Sequence, residues 1–379
     1  MGGPFVATGG PRAVLGGRGV VMTSLHFHPL RVREVQPDTD EAVIVSFDVP
    51  EPLRKTFHFT PGQYLTLRSM VEGEDLRRSY SICAGADDGA LRVGVRLLPG
   101  GVFSQWVNAS LKVGDTVQVF PPQGHFHAPP AAAGRRHFLG IAAGSGITPI
   151  LSIMKTVLAR EPESRFTLIY GNRRQASTMF REEIEDLKNR YLTRLSLHHV
   201  FSREQQDSPL AAGRISKAKL AEFLGPLIDP QGIAEVFVCG PYEMNDEAEA
   251  ALLEAGVASE RIHIERFGAP PAGGAPLHPV MAGDAAQARV TVIRDGQQRE
   301  IDFMAGDPSI LDAAARAGLD VPFSCKSGVC STCRAKLIEG EVRMDRNFAL
   351  EKRELAAGFI LTCQSHPLTE RVTISFDDR

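Results

Sequence analysis

Residues 324–334 read "SCKSGVCSTCR" and place three of the chain's six cysteines within nine positions. The spacing is Cys325-x4-Cys330-x2-Cys333, and Cys363 follows further along the chain. Closely spaced thiols serve disulfides, zinc knuckles or iron–sulfur clusters. A zinc knuckle more often shows two C-x2-C pairs, and this chain has one. Six cysteines among 379 residues are too sparse for a disulfide scaffold. The C-x4-C-x2-C…C arrangement is instead the one by which four thiolates hold a [2Fe–2S] cluster. The loop must curl so that backbone N–H groups face the inorganic sulfides. Gly328 permits that approach, and the small Ser327, Ser331 and Thr332 do not obstruct it. Cys325, Cys330, Cys333 and Cys363 are therefore the expected metal ligands, while Cys83 reads as core filler.

Working outward, residues 287–379 form a small α+β module. "ARVTVIR" and "REIDFM" are two strands turned by Asp295-Gly296. "SILDAAARAG" is a helix with Asp307 or Ser309 as its cap and Gly318 as its stop. This strand–strand–helix order before the cysteine loop suits a β-grasp fold. Residues 268–286, "GAPPAGGAPLHPVMAGDAA", are rich in Pro, Gly and Ala without periodicity and read as a linker. From 136 to 267 the rhythm is strand, helix, strand, helix, with continuous apolar strands such as "HFLGIAA", "FTLIYG" and "EVFVCG". That pattern marks an α/β domain with a parallel, doubly wound sheet. Residues 23–130 break into short alternating strands separated by Pro-Gly and Asp-Gly turns, which argues for an antiparallel β-barrel or sandwich. The Gly-rich residues 1–22 read as a disordered tail, with Met22 as the expected natural start. The expectation is a multidomain chain: barrel, doubly wound sheet, linker and β-grasp module.

Composition narrows the function. Hydrophobic residues make up 43% and charged residues 23%, the profile of a soluble globular protein. A net charge of −3 gives no electrostatic case for nucleic acid or an anionic membrane surface. No apolar run approaches the roughly 18 residues of a membrane span. No secretory signal opens the chain, so reduced thiols in the cytoplasm are expected.

A one-electron cluster cannot take a hydride directly; a nicotinamide donor would need a flavin between the two. The barrel offers residues for one. In "RRSYSI", Arg78 and Tyr80 share a strand face at i, i+2, with Ser81 beside them. A guanidinium can grip a pyrophosphate, an aromatic ring can stack on an isoalloxazine, and a hydroxyl can reach flavin N5. "GGVFS", from Gly100 to Ser104, opens a short helical segment suited to the same pyrophosphate. Taken alone, R-x-Y-S reads more readily as a surface arginine beside a core tyrosine. In "AAGSGITPI" a strand runs into Gly144, Ser145 and Gly146 and then a helix, with Thr148 as a cap and Pro149 in the first turn. Ligands of such sheets bind at strand C-termini, where Asn172, Arg173, Ser202, Arg203, Cys239, Gly240 and Pro241 fall. A Ser-Arg pair there fits a ribose 2′-phosphate and favours NADPH, against the alternative of a solvated surface arginine.

"RRSYS", then "AGSGITP" with "CGP", then the cysteine loop, in that order, resemble the ferredoxin–NADP reductase superfamily with a fused plant-type ferredoxin. More narrowly, residues 23–379 are similar to the reductase subunits of bacterial phenylacetyl-CoA epoxidases, through "PGQYLTL", "PQGHF", "FTLIYGNR", "IERF", "SILDAA" and "LAAGFILTCQS". The resemblance implies that Arg78, Tyr80 and Ser81 bind FAD, assisted by Gly101 and Ser104. It implies that Gly144, Gly146 and Thr148 bind NADPH, and that Cys239, with Gly240 and Pro241, lies beside the nicotinamide. Ser202 and Arg203 resemble 2′-phosphate ligands, with NADH as the alternative donor because relatives do not all keep the arginine. Tyr80, Ser81 and Cys239 are the implied catalytic set. Phe267 would screen the flavin in place of the terminal aromatic residue found in plant-type reductases. The implied partner is a multicomponent di-iron oxygenase. No Glu-x-x-His pair on paired helices supplies that di-iron site here, so the CoA ester is not expected to bind this chain. Reductases of other oxygenases and of hybrid-cluster proteins share the module order, and a redox carrier without turnover is the alternative of a different class.

Overall fold

The computed structural model of the chain describes residues 5–8, 26–129, 134–269 and 278–378. They form two compact units, residues 27–267 and residues 268–379 with the segment preceding Phe27.

In the larger unit, six antiparallel strands lie in the order Glu74–Ser81, Tyr64–Val71, Thr116–Gln123, His28–Thr39, Ala42–Asp48, Leu91–Arg96. A bridge between Ile82 and Val93 joins the two ends and closes the barrel. Period-two alternation turns Leu30, Val32, Leu65, Leu67, Val93 and Val95 into its interior. The helix Val102–Ala109 adds Phe103 and Val107 to the same core.

Five parallel strands follow in the order Leu195–Phe201, Arg165–Asn172, His137–Ala143, Glu235–Gly240, Ile262–Arg266. Their apolar runs are buried on both faces, because helices cover both. Ile147–Arg160 and Arg181–Arg190 pack into one core, and Lys217–Phe223 and Tyr242–Glu254 into the other. The chain direction across the sheet reverses between His137–Ala143 and Glu235–Gly240, and this switch point is where open sheets of this kind bind ligands.

Barrel and sheet share one core. Ala42, Ile44, Cys83 and Phe126 of the barrel pack with Ile147, Ile150, Met154 and Phe180. Cys83 is thus the core filler expected of it. Arg92 pairs with Glu183, Lys155 with Asp88, and Arg160 forks onto Asp87 at 2.6 and 2.7 Å across the same seam. Both carboxylate oxygens of Asp38 accept the Phe180 N–H, at 3.0 and 3.1 Å, and burial pushes Asp38 up to about 6.

In the smaller unit the hairpin Gln287–Arg294 and Gln297–Met304 turns at Asp295 (φ 55°) and Gly296 (φ 71°). Its first strand runs parallel to Arg371–Ser375, which joins Arg334–Glu339 and Phe359–Leu361 in one mixed sheet. The helix Ile310–Arg316 packs against it, completing the β-grasp arrangement. Ser309 is its cap, accepting the Asp312 N–H at 3.2 Å. Asp307 instead accepts the Met304 N–H at 2.8 Å and pairs with Arg316.

Two boundaries differ from expectation. Phe5–Thr8, inside the stretch read as a disordered tail, pairs antiparallel with Glu341–Met344, whose other neighbour is Ser365–Pro367. Phe5 and Ala7 pack on the core of the small unit. Four residues carry too little period-two signal to stand out among the surrounding glycines. The rest of that stretch, Met22 included, lies outside the described residues. Of the linker 268–286, residues 270–277 also lie outside them, but residues 278–286 are fastened to the small unit. The Ala285 N–H donates to the Pro367 carbonyl at 2.9 Å, and Asp284 takes a two-pronged ion pair from Arg343. Pro/Gly/Ala composition concealed these anchors, because their partners lie far along the chain. Among the described residues no helix is long and apolar enough to cross a membrane.

Candidate functional site

The strand Glu74–Ser81 pairs with Tyr64–Val71 so that Tyr80 stands opposite Leu65 and Ser81 opposite Tyr64. Arg78 is exposed on the face it shares with Tyr80, whose ring centre lies 6.1 Å from that of Phe103. Burial raises the Tyr80 phenol above its ordinary range. Ser104 does not present its hydroxyl outward. It is buried, donates to the Gly101 carbonyl at 2.9 Å and accepts the Leu98 N–H at 3.1 Å, which shapes the turn before the helix. No side chain caps the N-terminus of that helix at Gly101, so its first N–H groups suit a phosphate anion. An exposed guanidinium, an aromatic ring and an uncapped helix start together fit FAD.

The turn Gly144–Gly146 connects the strand His137–Ala143 to the helix Ile147–Arg160, which also lacks a side-chain cap. A Cβ on Gly146 would stand 2.0 Å from the carbonyl oxygen of Cys239, so only glycine allows the two strand ends to meet this closely. Thr148 does not cap the helix as expected; Gly146 holds the cap position. The turn continues the helix backward by one step, and the Thr148 hydroxyl closes it by donating to the Ser145 carbonyl at 2.9 Å. The sequence reading missed Arg96. This barrel residue pairs with Glu41 at 3.0 Å and places Nη1 2.8 Å from where a Gly144 Cβ would be, bringing a barrel cation to the nucleotide turn. Its position at the end of the apolar strand "LRVGVR" was the available signal.

Where barrel and sheet meet, the Ser81 hydroxyl donates to Glu265 Oε2 at 3.0 Å. Glu265 stands beside Cys239 in the parallel pairing of Glu235–Gly240 with Ile262–Arg266. Loss of water around Glu265 pushes its carboxyl up to about 8, against the opposing hydrogen bond from Ser81. Burial, and then the neighbouring Glu265, push the Cys239 thiol well above its usual range. Both shifts favour the uncharged forms of Glu265 and Cys239 at neutral pH. Glu265 thus links Ser81, its hydrogen-bond donor, to Cys239, its partner on the adjacent strand. Glu265 was missed, although a carboxylate inside the strand "IHIERF" was a visible oddity.

At the neighbouring strand ends, the Ser202 N–H donates to the Asn172 carbonyl at 3.0 Å and the Arg203 N–H to the Arg173 carbonyl at 2.9 Å. This sets Asn172, Arg173, Ser202 and Arg203 side by side, with Arg203 exposed. Gly240 ends its strand and Pro241 takes the N-cap position of the helix Tyr242–Glu254. Phe267 is 46% exposed.

The four cysteines of the small unit converge. Cys325 Sγ lies 3.2 Å from Cys330 Sγ and accepts the Ser327 N–H at 3.4 Å, and Cys363 reaches both Cys325 and Cys333. None forms a disulfide. Gly328 adopts φ +77°, and a Cβ there would come within 3.1 Å of the Arg346 carbonyl. Neighbouring thiols hold Cys325 well below its usual range and, with burial, push Cys330 and Cys363 up. Deprotonating four thiols this close together calls for cationic metal, and the cage fits a [2Fe–2S] centre. Cys325 is half-exposed whereas the other three are buried.

A barrel suited to FAD, a dinucleotide-type sheet and a four-thiol cage define a flavin- and iron–sulfur-containing oxidoreductase that uses a pyridine nucleotide. Residues 29–128 match the oxidoreductase FAD-binding domain family, 141–250 the oxidoreductase NAD-binding domain and 292–368 the 2Fe-2S iron-sulfur cluster binding domain. One component of the 1,2-phenylacetyl-CoA epoxidase of Escherichia coli (strain K12) is 46% identical over 351 residues, 93% of this chain and 98% of that one. The ferredoxin reductase component of the 3-ketosteroid-9-alpha-monooxygenase of Mycobacterium tuberculosis (strain H37Rv) is 35% identical over 365 residues, 93% and 97% of the two chains. Among solved structures, phthalate dioxygenase reductase shares the fold with a TM-score of 0.53 at 24% identity, covering 92% of this chain and 98% of that chain. The chain belongs to the ferredoxin–NADP reductase superfamily, in the branch that carries a C-terminal plant-type [2Fe–2S] ferredoxin domain.

Proposed function

We propose that the chain is the NADPH-linked reductase of a phenylacetyl-CoA epoxidase, passing electrons to a separate di-iron oxygenase. The observation that carries the electron-entry half is the contact of Ser81 with Glu265 beside Cys239, which joins the barrel to the sheet at its switch point. The choice of partner rests on 46% identity across 93% of the chain to the epoxidase component of Escherichia coli. A bound flavin would supply the two-to-one electron chemistry needed between a nicotinamide and the cluster.

The chain's own residues bind, orient and exclude charge. Arg78 and the uncapped start of the helix Val102–Ala109 neutralise the flavin pyrophosphate, and Tyr80 supports the ring. Ser81, held by Glu265, offers a fixed hydroxyl. The neutral Glu265 and Cys239 keep anionic charge away from the reacting face at neutral pH. The Gly144–Gly146 turn admits the nucleotide backbone closely, and Arg203 with Ser202 takes the 2′-phosphate. The CoA ester and the di-iron centre belong to the oxygenase.

Reconstitution tests the partner. Phenylacetyl-CoA should be epoxidised when this reductase is mixed with the oxygenase subunits, and an inert mixture defeats the assignment. Replacing Arg203 with Ala should raise KM for NADPH roughly 10-fold or more and leave NADH untouched, the value of a charge-assisted contact. Equal use of both nucleotides by the unmodified protein defeats the NADPH reading. A second reading, reductase of a different oxygenase, is favoured by the 35% identity to the 3-ketosteroid-9-alpha-monooxygenase component, and cross-reconstitution with that oxygenase tests it.

A further inference from the structure

The small unit holds a second convergence of metal-binding side chains, separate in composition from the cysteine cage. His278 comes from the stretch leading into the unit, Asp345 follows the strand Glu341–Met344, and His366 lies in the strand Ser365–Pro367. His278 Nδ1 and His366 Nε2 stand 2.9 and 2.8 Å from one and the same oxygen, Asp345 Oδ2. The three donor atoms all lie within 4.8 Å of one another. The side chains of His278, Asp345 and His366 are only 16%, 4% and 6% exposed.

Charge is unbalanced at this point. Arg343 pairs with Asp345 through the other carboxylate oxygen and forks onto Asp284 with two contacts of 2.8 Å. One guanidinium thus faces two carboxylates, and with neutral imidazoles a net negative charge stays largely buried. Burying an uncompensated charge is costly, so a further cation, either a proton or a metal ion, would stabilise the cluster. Two imidazole nitrogens and one carboxylate oxygen form the donor set of a borderline divalent ion. Arg343 fixes the carboxylate and leaves Oδ2 directed at both imidazoles, the outer-shell support that ligating carboxylates have. The small exposure at His278 leaves access for a solvent ligand.

We propose that His278, Asp345 and His366 form a binding site for a divalent cation of the zinc class. The ion would fasten the residues entering the small unit to the strand just past the cluster ligand Cys363.

The test is calorimetric titration of Zn2+ into full-length, FAD- and cluster-loaded protein previously treated with EDTA. The expected result is one tight ion per chain, with no comparable binding of Mg2+, which prefers all-oxygen sites. His278→Ala should weaken Zn2+ binding by at least the roughly 10–100-fold that loss of even an outer-shell partner brings, with flavin and cluster spectra unchanged. His366→Gln, a closer match in shape, serves as the second variant should the first disturb the fold. Unmodified protein that takes up no Zn2+ would mean a hydrogen-bonded triad balanced by a proton, and would overturn the proposal. Equal uptake by unmodified protein and both variants would place the ion elsewhere and overturn it too.

Discussion

Three of the four cage thiols lie within nine residues of one loop, whereas the buried Ser81–Glu265–Cys239 cluster draws on a barrel strand and two sheet strands. The cage is a local object, completed by a single distant ligand, Cys363. The Ser81–Glu265–Cys239 cluster exists only while barrel and sheet stay packed together. A local site should fail alone when damaged, while a distributed one should respond to changes in the packing that assembles it.

The sharpest way to break this contrast is Cys330→Ala. It should abolish the iron–sulfur signal and electron delivery to the oxygenase, while flavin-level reduction of ferricyanide by the pyridine nucleotide persists. Collapse of both activities would show that the cage is not independent. Gly146→Val attacks the Ser81–Glu265–Cys239 cluster instead, since its first side-chain carbon would stand 2.0 Å from the Cys239 carbonyl oxygen. It should lower kcat/KM for the nucleotide about 100-fold, the scale of a small misplacement at a reacting centre, with the cluster spectrum intact.

Glu265→Gln gives a smaller, pH-dependent effect. The folded carboxyl sits at about 8, above its ordinary 4.5, so its favourable contribution is complete below pH 4.5 and lost as pH rises through 8. Thermal melts should show the variant overtaking the unmodified protein toward pH 9, by an amount on the order of 1–3 kcal/mol. A pH-independent difference would remove the neutral carboxyl from the picture. Ser309→Ala, which removes a helix cap in the small unit, should cost about 1 kcal/mol in chemical denaturation and leave both redox activities unchanged.

The same contrast explains what was legible in the sequence. The cage could be read because ligand spacing within one loop is itself a geometry. The barrel strands and the parallel sheet could be read because period-two alternation and continuous apolar runs are local consequences of burial. Glu265 stood out as a carboxylate inside a strand, but its role could not be read, since its partner Ser81 lies far back in the chain. Thr148 was misplaced because the Gly144–Gly146 turn extends the helix start, and backbone geometry decides where a cap falls. His278 and Asp284 were hidden in a Pro/Gly/Ala run whose partners become neighbours only after folding.

The shared core of barrel and sheet bears on how such a protein can be taken apart or recombined. Although three sequence families meet along the chain, a cut near residue 130 would strip cover from Ala42, Ile44, Cys83 and Phe126 and from the helix face they meet. The exchangeable cassettes are therefore two. A chimera that swaps electron-exit modules should be joined in the stretch beyond Phe267, whereas one that swaps flavin modules alone would inherit a sticky apolar wound on each half.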